Sequence, residues 1–187
     1  MQNTLKYTNS LGQNAMTEIV FNRDFAQDAP YGPTQKAVLN DEAFDIAQAT
    51  ISGWPGYVPT PLHALSGLAA QAGVSGLYYK DEGGRFGLGS FKALGGAYAV
   101  LRLLMREISI RKGIEEPTIK DILDRVYDDV VSTITACCAT DGNHGRSVAW
   151  GAQTFGCQCE IFIHATVSDG RKTANWCCHG RAGHFLD

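Results

Sequence analysis

Lys92 is the side chain in this sequence best placed to act as a nucleophile. It follows the run Glu82-Gly83-Gly84-Arg85-Phe86-Gly87-Leu88-Gly89-Ser90-Phe91 and leads into a strongly apolar segment. The glycines free the backbone to turn sharply, and the apolar segment would hold the lysine stem against a core. An amine partly withdrawn from water loses its proton more readily and becomes a competent nucleophile. Without that context a lysine at a helix start is an ordinary solvated charge. The glycine run does not read as a nucleotide loop: Gly84 and Gly89 have the right spacing, but Ser90-Phe91 follows where Lys-Ser or Lys-Thr is required, and no G-x-G-x-x-G is present.

A second run, Ala139-Thr140-Asp141-Gly142-Asn143-His144-Gly145, brings a carboxylate, an amide and an imidazole into one short stretch. Asp141 offers acid-base chemistry or is a plain turn residue, since Asp-Gly is a common turn pair. His144, between an asparagine and a glycine, is read as a helix cap or backbone partner ahead of a general base.

The elements that must position these runs follow from hydrophobic spacing. Residues 91–108 carry Leu94, Ala97, Leu101, Leu104, Met105 and Ile108 at steps of three and four, which predicts a long helix with one buried face. Residues 118–130 repeat that spacing in Ile119, Ile122, Leu123, Val126 and Val130 and predict a second helix. Residues 62–72 follow Thr60-Pro61 and stop at Gly73, again helical. Leu77-Tyr78-Tyr79 predicts a short strand. Residues 133–138 read as a buried strand, 139–145 as a tight loop, 146–155 as a helix stopped by Gly156, and 159–164 as another strand. Such a strand, helix, strand unit joins parallel strands and places functional loops at their carboxyl ends, where both runs are expected. The first sixty residues are broken by Pro30, Pro33, Pro55 and Pro59, with residues 41–51 as their one short helix, and are expected to wrap the domain without entering its core.

Composition narrows the function classes. The 187 residues are 44% hydrophobic and 19% charged, ordinary usage for a soluble globular chain. Sixteen Lys and Arg against nineteen Asp and Glu give a net charge of -3, which offers no broad basic field for nucleic acid or an anionic membrane. Residues 1–10 lack the apolar core of a secretion signal, and no stretch approaches the roughly 18 apolar residues that span a bilayer. The expectation is a cytoplasmic protein. Its six cysteines fall as Cys137-Cys138, Cys157 with Cys159, and Cys177-Cys178, and are expected to be reduced. Cys177, Cys178, His179 and His184 are the nearest approach to a zinc ligand set, but no metal is expected.

The strings Thr60-Pro61-Leu62, Gly89-Ser90-Phe91-Lys92 and Asp141-Gly142-Asn143-His144-Gly145 resemble, in order and spacing, the tryptophan synthase beta-like group of pyridoxal phosphate enzymes (fold type II), which includes the serine and threonine dehydratases. Within it the sequence is most similar to the diaminopropionate ammonia-lyases, through the string from Tyr79 to Gly96 and through Ala139-Thr140-Asp141-Gly142-Asn143-His144-Gly145-Arg146. Dehydratases usually carry serine or alanine where Asp141 stands. The resemblance implies an α/β fold, a parallel sheet with flanking helices, with pyridoxal 5'-phosphate as cofactor. It implies that Lys92 forms the Schiff base, that Asn143 bonds the ring hydroxyl with Gly142 and His144 in the same cofactor loop, and that Asp141 is an acid-base residue near the substrate. The implied reaction converts 2,3-diaminopropionate, a small amino acid, and water to pyruvate and two ammonia, in a family that is commonly homodimeric. A serine or threonine dehydratase-like lyase and a catalytically dead fragment remain as alternatives.

The resemblance holds over residues 57–172, is looser before them and ends after Thr173. It implies residues 1–95 as an N-terminal segment and the start of the large domain, 96–172 as the start of a smaller α/β domain, and 173–187 as an atypical tail. The second half of the fold, with its glycine-rich phosphate loop, is expected to be missing. The tail shows no apolar periodicity where a helix should follow, the kind of sequence a shifted reading frame produces, so a frameshifted or truncated product with weak or no activity alone is expected.

Overall fold

The computed structural model describes residues 5–8, 14–19, 22, 28–140, 142–164, 166, 168, 170 and 185–186. Asp141 and all but two residues of the 173–187 tail, including Cys177, Cys178, His179 and His184, lie outside them. The chain divides into two compact units, Met1–Asp41 and Glu42–Asp187.

In the first unit, β1 (Leu5–Thr8) pairs antiparallel with β2 (Asn14–Ile19), and a single turn of helix, α1 (Pro33–Lys36), follows. Pro33 opens α1, where the missing N–H costs nothing. The Tyr31 hydroxyl donates to the Leu39 carbonyl at 2.8 Å and ties that turn down.

The second unit begins with α2 (Asp41–Ser52), a one-residue difference from the predicted helix. The predicted helix at 62–72 is corrected: residues 62–64 form β3 (Leu62–Ala64), and α3 (Ser66–Ala72) starts only afterwards. The physical reason is pairing. Leu62, His63 and Ala64 lie opposite Lys80, Tyr79 and Tyr78 of β4 (Tyr78–Lys80), and that antiparallel ladder takes the residues a helix would have used. Gly73 ends α3 with φ +67, as the glycine stop predicts.

Helix α4 (Lys92–Lys112) buries Ala97, Leu101, Leu104 and Ile108 of the predicted face, with Ala93 and Val100 beside them and the predicted Leu94 and Met105 only half-buried, and stops at Gly113 with φ +67. The predicted helix at 118–130 is two short ones, α5 (Ile119–Leu123) and α6 (Asp128–Val131), broken at Arg125 with φ +63. Apolar spacing carries no record of that break, because its partner is distant. The Arg125 guanidinium donates to the carbonyls of Gln153 and Thr154, both at 3.4 Å, in the last turn of α7 (Asn143–Phe155).

Strands β5 (Thr135–Ala139) and β6 (Gln158–His164) run parallel with α7 between them, and β7 (Phe185–Leu186) adds a third parallel strand beyond β6. The fold is therefore α/β with a small parallel sheet and flanking helices. Its core gathers α4, α7 and β6 around Phe155, Leu101, Leu104 and Ile108, all essentially inaccessible to water. Each such side chain contributes about 1.5–3 kcal/mol of burial. Trp54 belongs to this core at 2% exposure, which corrects the expectation that the first sixty residues stay outside it. Among the described residues no helix is long and apolar enough to cross a membrane.

Candidate active site

The two runs meet through two helices. Residue Ser147 of α7 lies against Ala93 and Gly96 of α4, and Gly151 lies against Ala97 and Val100. The contacts advance in the same direction along both helices, so α4 and α7 are parallel and their N-termini share one end. Lys92 is the first residue of α4 and Asn143 the first of α7. Helix N-termini carry unsatisfied N–H groups and partial positive charge, a setting that favours an anionic group.

Each helix starts under a hydroxyl. The Lys92 backbone N–H donates to Ser90 Oγ at 3.2 Å. The backbone N–H groups of Gly142 and Gly145 both donate to Thr140 Oγ1 at 3.2 Å. Thr140 in turn donates its backbone N–H to the Phe162 carbonyl at 2.9 Å, which fixes the loop to the end of β6. Gly142 is half-buried, while Asn143 and His144 are exposed in the first turn of α7. That corrects the tight loop read over 139–145, since its last three residues are already helical. The corresponding expectation for Lys92, a stem held against the core, is also corrected: Lys92 is exposed, and the residue that points into the core at the start of α4 is Ala93. The loop that delivers Lys92 follows β4, a strand of the antiparallel pair, so only the Ala139 to Gly145 run sits at the carboxyl end of the parallel sheet.

What holds the glycine loop is a cluster that sequence reasoning missed. Arg85 is 6% exposed and uses all three guanidinium nitrogens. Its Nε donates to Glu82 Oε2 at 2.8 Å, its Nη2 to Glu82 Oε1 at 3.0 Å and to Thr60 Oγ1 at 3.1 Å, and its Nη1 to the Val58 carbonyl at 2.9 Å. The Tyr57 ring lies 5.2 Å from the guanidinium carbon. Thr60 donates its hydroxyl to Glu82, and Lys80 Nζ donates to the Thr60 carbonyl at 2.6 Å. The hydrogen bonds from Arg85, reinforced by the Thr60 hydroxyl and the charges of Arg85 and Lys80, outweigh desolvation and hold the Glu82 carboxyl down at about 2. The same pairing raises the Arg85 pKa above its ordinary value.

Phe86, the next residue, takes φ +48, a conformation non-glycine residues rarely adopt. Its ring stacks on Trp150 of α7 with centroids 4.5 Å apart, and Trp54 packs against both rings. The loop that ends in Lys92 is thus clamped to the 57–60 segment by Arg85 and to α7 by Phe86. A charged pair three residues apart inside a glycine run was the available signal for the first clamp.

The donor set fits part of a pyridoxal phosphate site: an accessible primary amine and a carboxamide at one end of two parallel helices. Among the described residues no group of three or more His, Cys, Asp or Glu side chains could hold a metal ion. Cys137, Cys138, Cys157 and Cys159 are free thiols. Burial, with the neighbouring Cys138 and Cys157, pushes Cys159 up to about 12.

A family model described as pyridoxal-phosphate dependent enzyme matches residues 54–176. The diaminopropionate ammonia-lyase of Escherichia coli (strain K12) is 43% identical over 108 residues, which cover 58% of this chain and 26% of that protein. Its counterpart in Salmonella typhimurium (strain LT2) is 38% identical over 115 residues, again 58% of this chain and 26% of that protein. The crystal structure of the Escherichia coli enzyme in apo form is similar with a TM-score of 0.67 at 35% identity, covering 79% of this chain and 38% of that one. The same enzyme in complex with an aminoacrylate-PLP azomethine reaction intermediate gives a TM-score of 0.63 at 34% identity, over 79% of this chain and 34% of that one. The chain therefore spans only 26% of the length of these curated relatives.

Proposed function

We propose, from the premise that the chain belongs to the pyridoxal-phosphate dependent enzyme family, that it carries the lysine-bearing part of a diaminopropionate ammonia-lyase site. The observation that supports this most is the parallel pairing of α4 and α7, which brings Lys92 and Asn143 to the same end of the unit. In this reading the substrate is 2,3-diaminopropionate, which with water yields pyruvate and two ammonia. The small amino acid is the partner, and a cytoplasmic homodimer is the assembly that the family resemblance implies.

When bound, pyridoxal phosphate supplies the electron sink that lets the substrate's α-carbon give up its proton. Lys92 Nζ holds the cofactor through its aldehyde, and exposure at the head of α4 leaves that amine open to it. Asn143 donates its side-chain amide to the ring oxygen, with Gly142 and His144 in the same loop. Once the substrate's amine had displaced it from the aldehyde, the freed Lys92 Nζ would carry a proton at the α-carbon on its own face. Asp141 would act from the opposite face, its carboxylate pairing with the substrate's ammonium and removing a proton from the other enantiomer. Asp141 lies outside the described residues, and its role is drawn from its place in the Asp-Gly-Asn-His-Gly run alone.

Pyruvate release from each enantiomer of 2,3-diaminopropionate tests the assignment. Asp141→Asn is expected to lose activity on one enantiomer far more than on the other. Equal losses on both would refute the two-face arrangement, and failure of the wild-type chain to bind pyridoxal phosphate through Lys92 would refute the reading that it carries the lysine-bearing part of the site.

A further inference from the structure

Ser147 is fully buried, and its hydroxyl is spent on another helix. Its Oγ donates to the Ala93 carbonyl at 3.0 Å and accepts from the Ala97 backbone N–H at 3.1 Å. Those two groups are the i and i+4 partners of the first turn of α4, the pair that an α-helix otherwise joins by itself. A hydroxyl from α7 therefore engages both ends of one backbone step in the helix that starts with Lys92.

The seat for that hydroxyl is Gly96. A Cβ on Gly96 would collide with Ser147 Oγ and lie 2.7 Å from Ser147 Cβ. One turn further on, a Cβ on Gly151 would lie 2.7 Å from Ala97 Cα, so the two backbones are in close approach along this seam. Apolar contact alone would hold two helices together without fixing their slide or rotation, because burial is non-directional. Two hydrogen bonds from one oxygen to two backbone groups do fix them. Ala93 adjoins Lys92, and Ser147 stands one turn beyond Asn143. The lock thus joins the first turns of the two helices that carry the side chains assigned to the cofactor.

We infer that Ser147, seated over Gly96, is a positioning residue that sets Lys92 against Asn143. This inference depends on the pyridoxal phosphate reading above. Its action is indirect: the hydroxyl touches neither cofactor nor substrate, and holds the first turns of α4 and α7 in register. Displacement of a reacting group by about 1 Å can cost on the order of a hundredfold in productive encounter.

The test uses the full chain, titrated with pyridoxal phosphate, reduced with borohydride and digested, with the pyridoxyl adduct on Lys92 measured by mass spectrometry. Urea midpoints are recorded for every variant. Ser147→Ala is expected to raise the cofactor concentration for half-labelling of Lys92 by about tenfold. Gly96→Ala is expected to suppress labelling, and Ser147→Gly added to it to restore labelling only to the level of Ser147→Ala, since the serine side chain is what the new methyl chiefly meets while the hydroxyl lock stays absent. Phe155→Leu, at the far end of α7, lowers the urea midpoint and leaves labelling unchanged. Wild-type labelling at Lys92 with unaltered labelling in Ser147→Ala would overturn the positioning role alone. So would recovery of the double variant to wild-type labelling, or an equal effect from Phe155→Leu. Absence of preferential labelling at Lys92 in the wild type would overturn the cofactor reading and this inference with it.

Discussion

Replacing Arg85 by methionine removes the guanidinium that joins the glycine loop to the preceding segment and keeps most of the volume. The carboxylate of Glu82, at 17% side-chain exposure, then loses both of its Arg85 bonds, and the Val58 carbonyl loses its donor. Breaking a buried pair by removing one partner costs about 3–5 kcal/mol, and the residual exposure of Glu82 places this one near the lower end, at about 3 kcal/mol. The loss carries a pH signature. Because folding lowers the Glu82 pKa from 4.5 to about 2, the stabilisation is fully present above pH 4.5 and is lost as the pH falls toward 2. Urea denaturation of wild type and Arg85→Met should therefore differ by about 3 kcal/mol at pH 7, with the gap closing on acidification through that window. Arg85→Lys keeps the charge without the planar fork and should fall between the two. A gap below about 1 kcal/mol at pH 7, or one that does not change with pH, would refute the reasoning.

Three further outcomes follow from the packing. Gly156→Ala should destabilise by more than about 1 kcal/mol in urea titration, because φ is +94 there and the new Cβ would stand 2.7 Å from Arg125 Cζ; an unchanged midpoint would contradict it. Mass-spectrometric mapping with iodoacetamide should find Cys137, which is exposed, labelled ahead of Cys159, which is half-buried and held as the thiol; equal rates would contradict that difference. Since the Cys159 pKa is raised from 9.0 to about 12, the fold should also lose stability as pH rises from 9 toward 12, through ionisation favoured in the unfolded chain.

Where a segment's structure follows from its own apolar spacing, the sequence was legible. Helix α4 and the β5, α7, β6 unit come out within three residues of their predicted starts, because their apolar residues repeat over enough positions to be unambiguous, although the strand read as buried over 133–138 is corrected: β5 alternates exposed and half-buried residues. Misreadings cluster where a distant partner decides. Leu62–Ala64 pairs with β4 despite a proline and glycine arrangement suited to a helix, and Arg125 leaves the helical region to reach the last turn of α7. The site divides in the same way. Lys92, Asn143, Gly142 and His144 are visible as a pattern of residue types, and the structure places them at the heads of two parallel helices or just before. Arg85 had only its i,i+3 pairing with Glu82 as a signal, and Phe86, Gly96 and Ser147 were silent, since a serine inside a helix gives no sign that its hydroxyl belongs to the neighbouring helix.

On the proposed reading Lys92 is the cofactor-bearing amine of this chain. The decisive measurement is the absorbance spectrum of the purified protein with added pyridoxal phosphate, set beside that of Lys92→Ala. A protein-bound cofactor band is expected in the wild type and is expected to be missing from Lys92→Ala at equal folded content. The same band in both proteins, or in neither, would overturn the assignment.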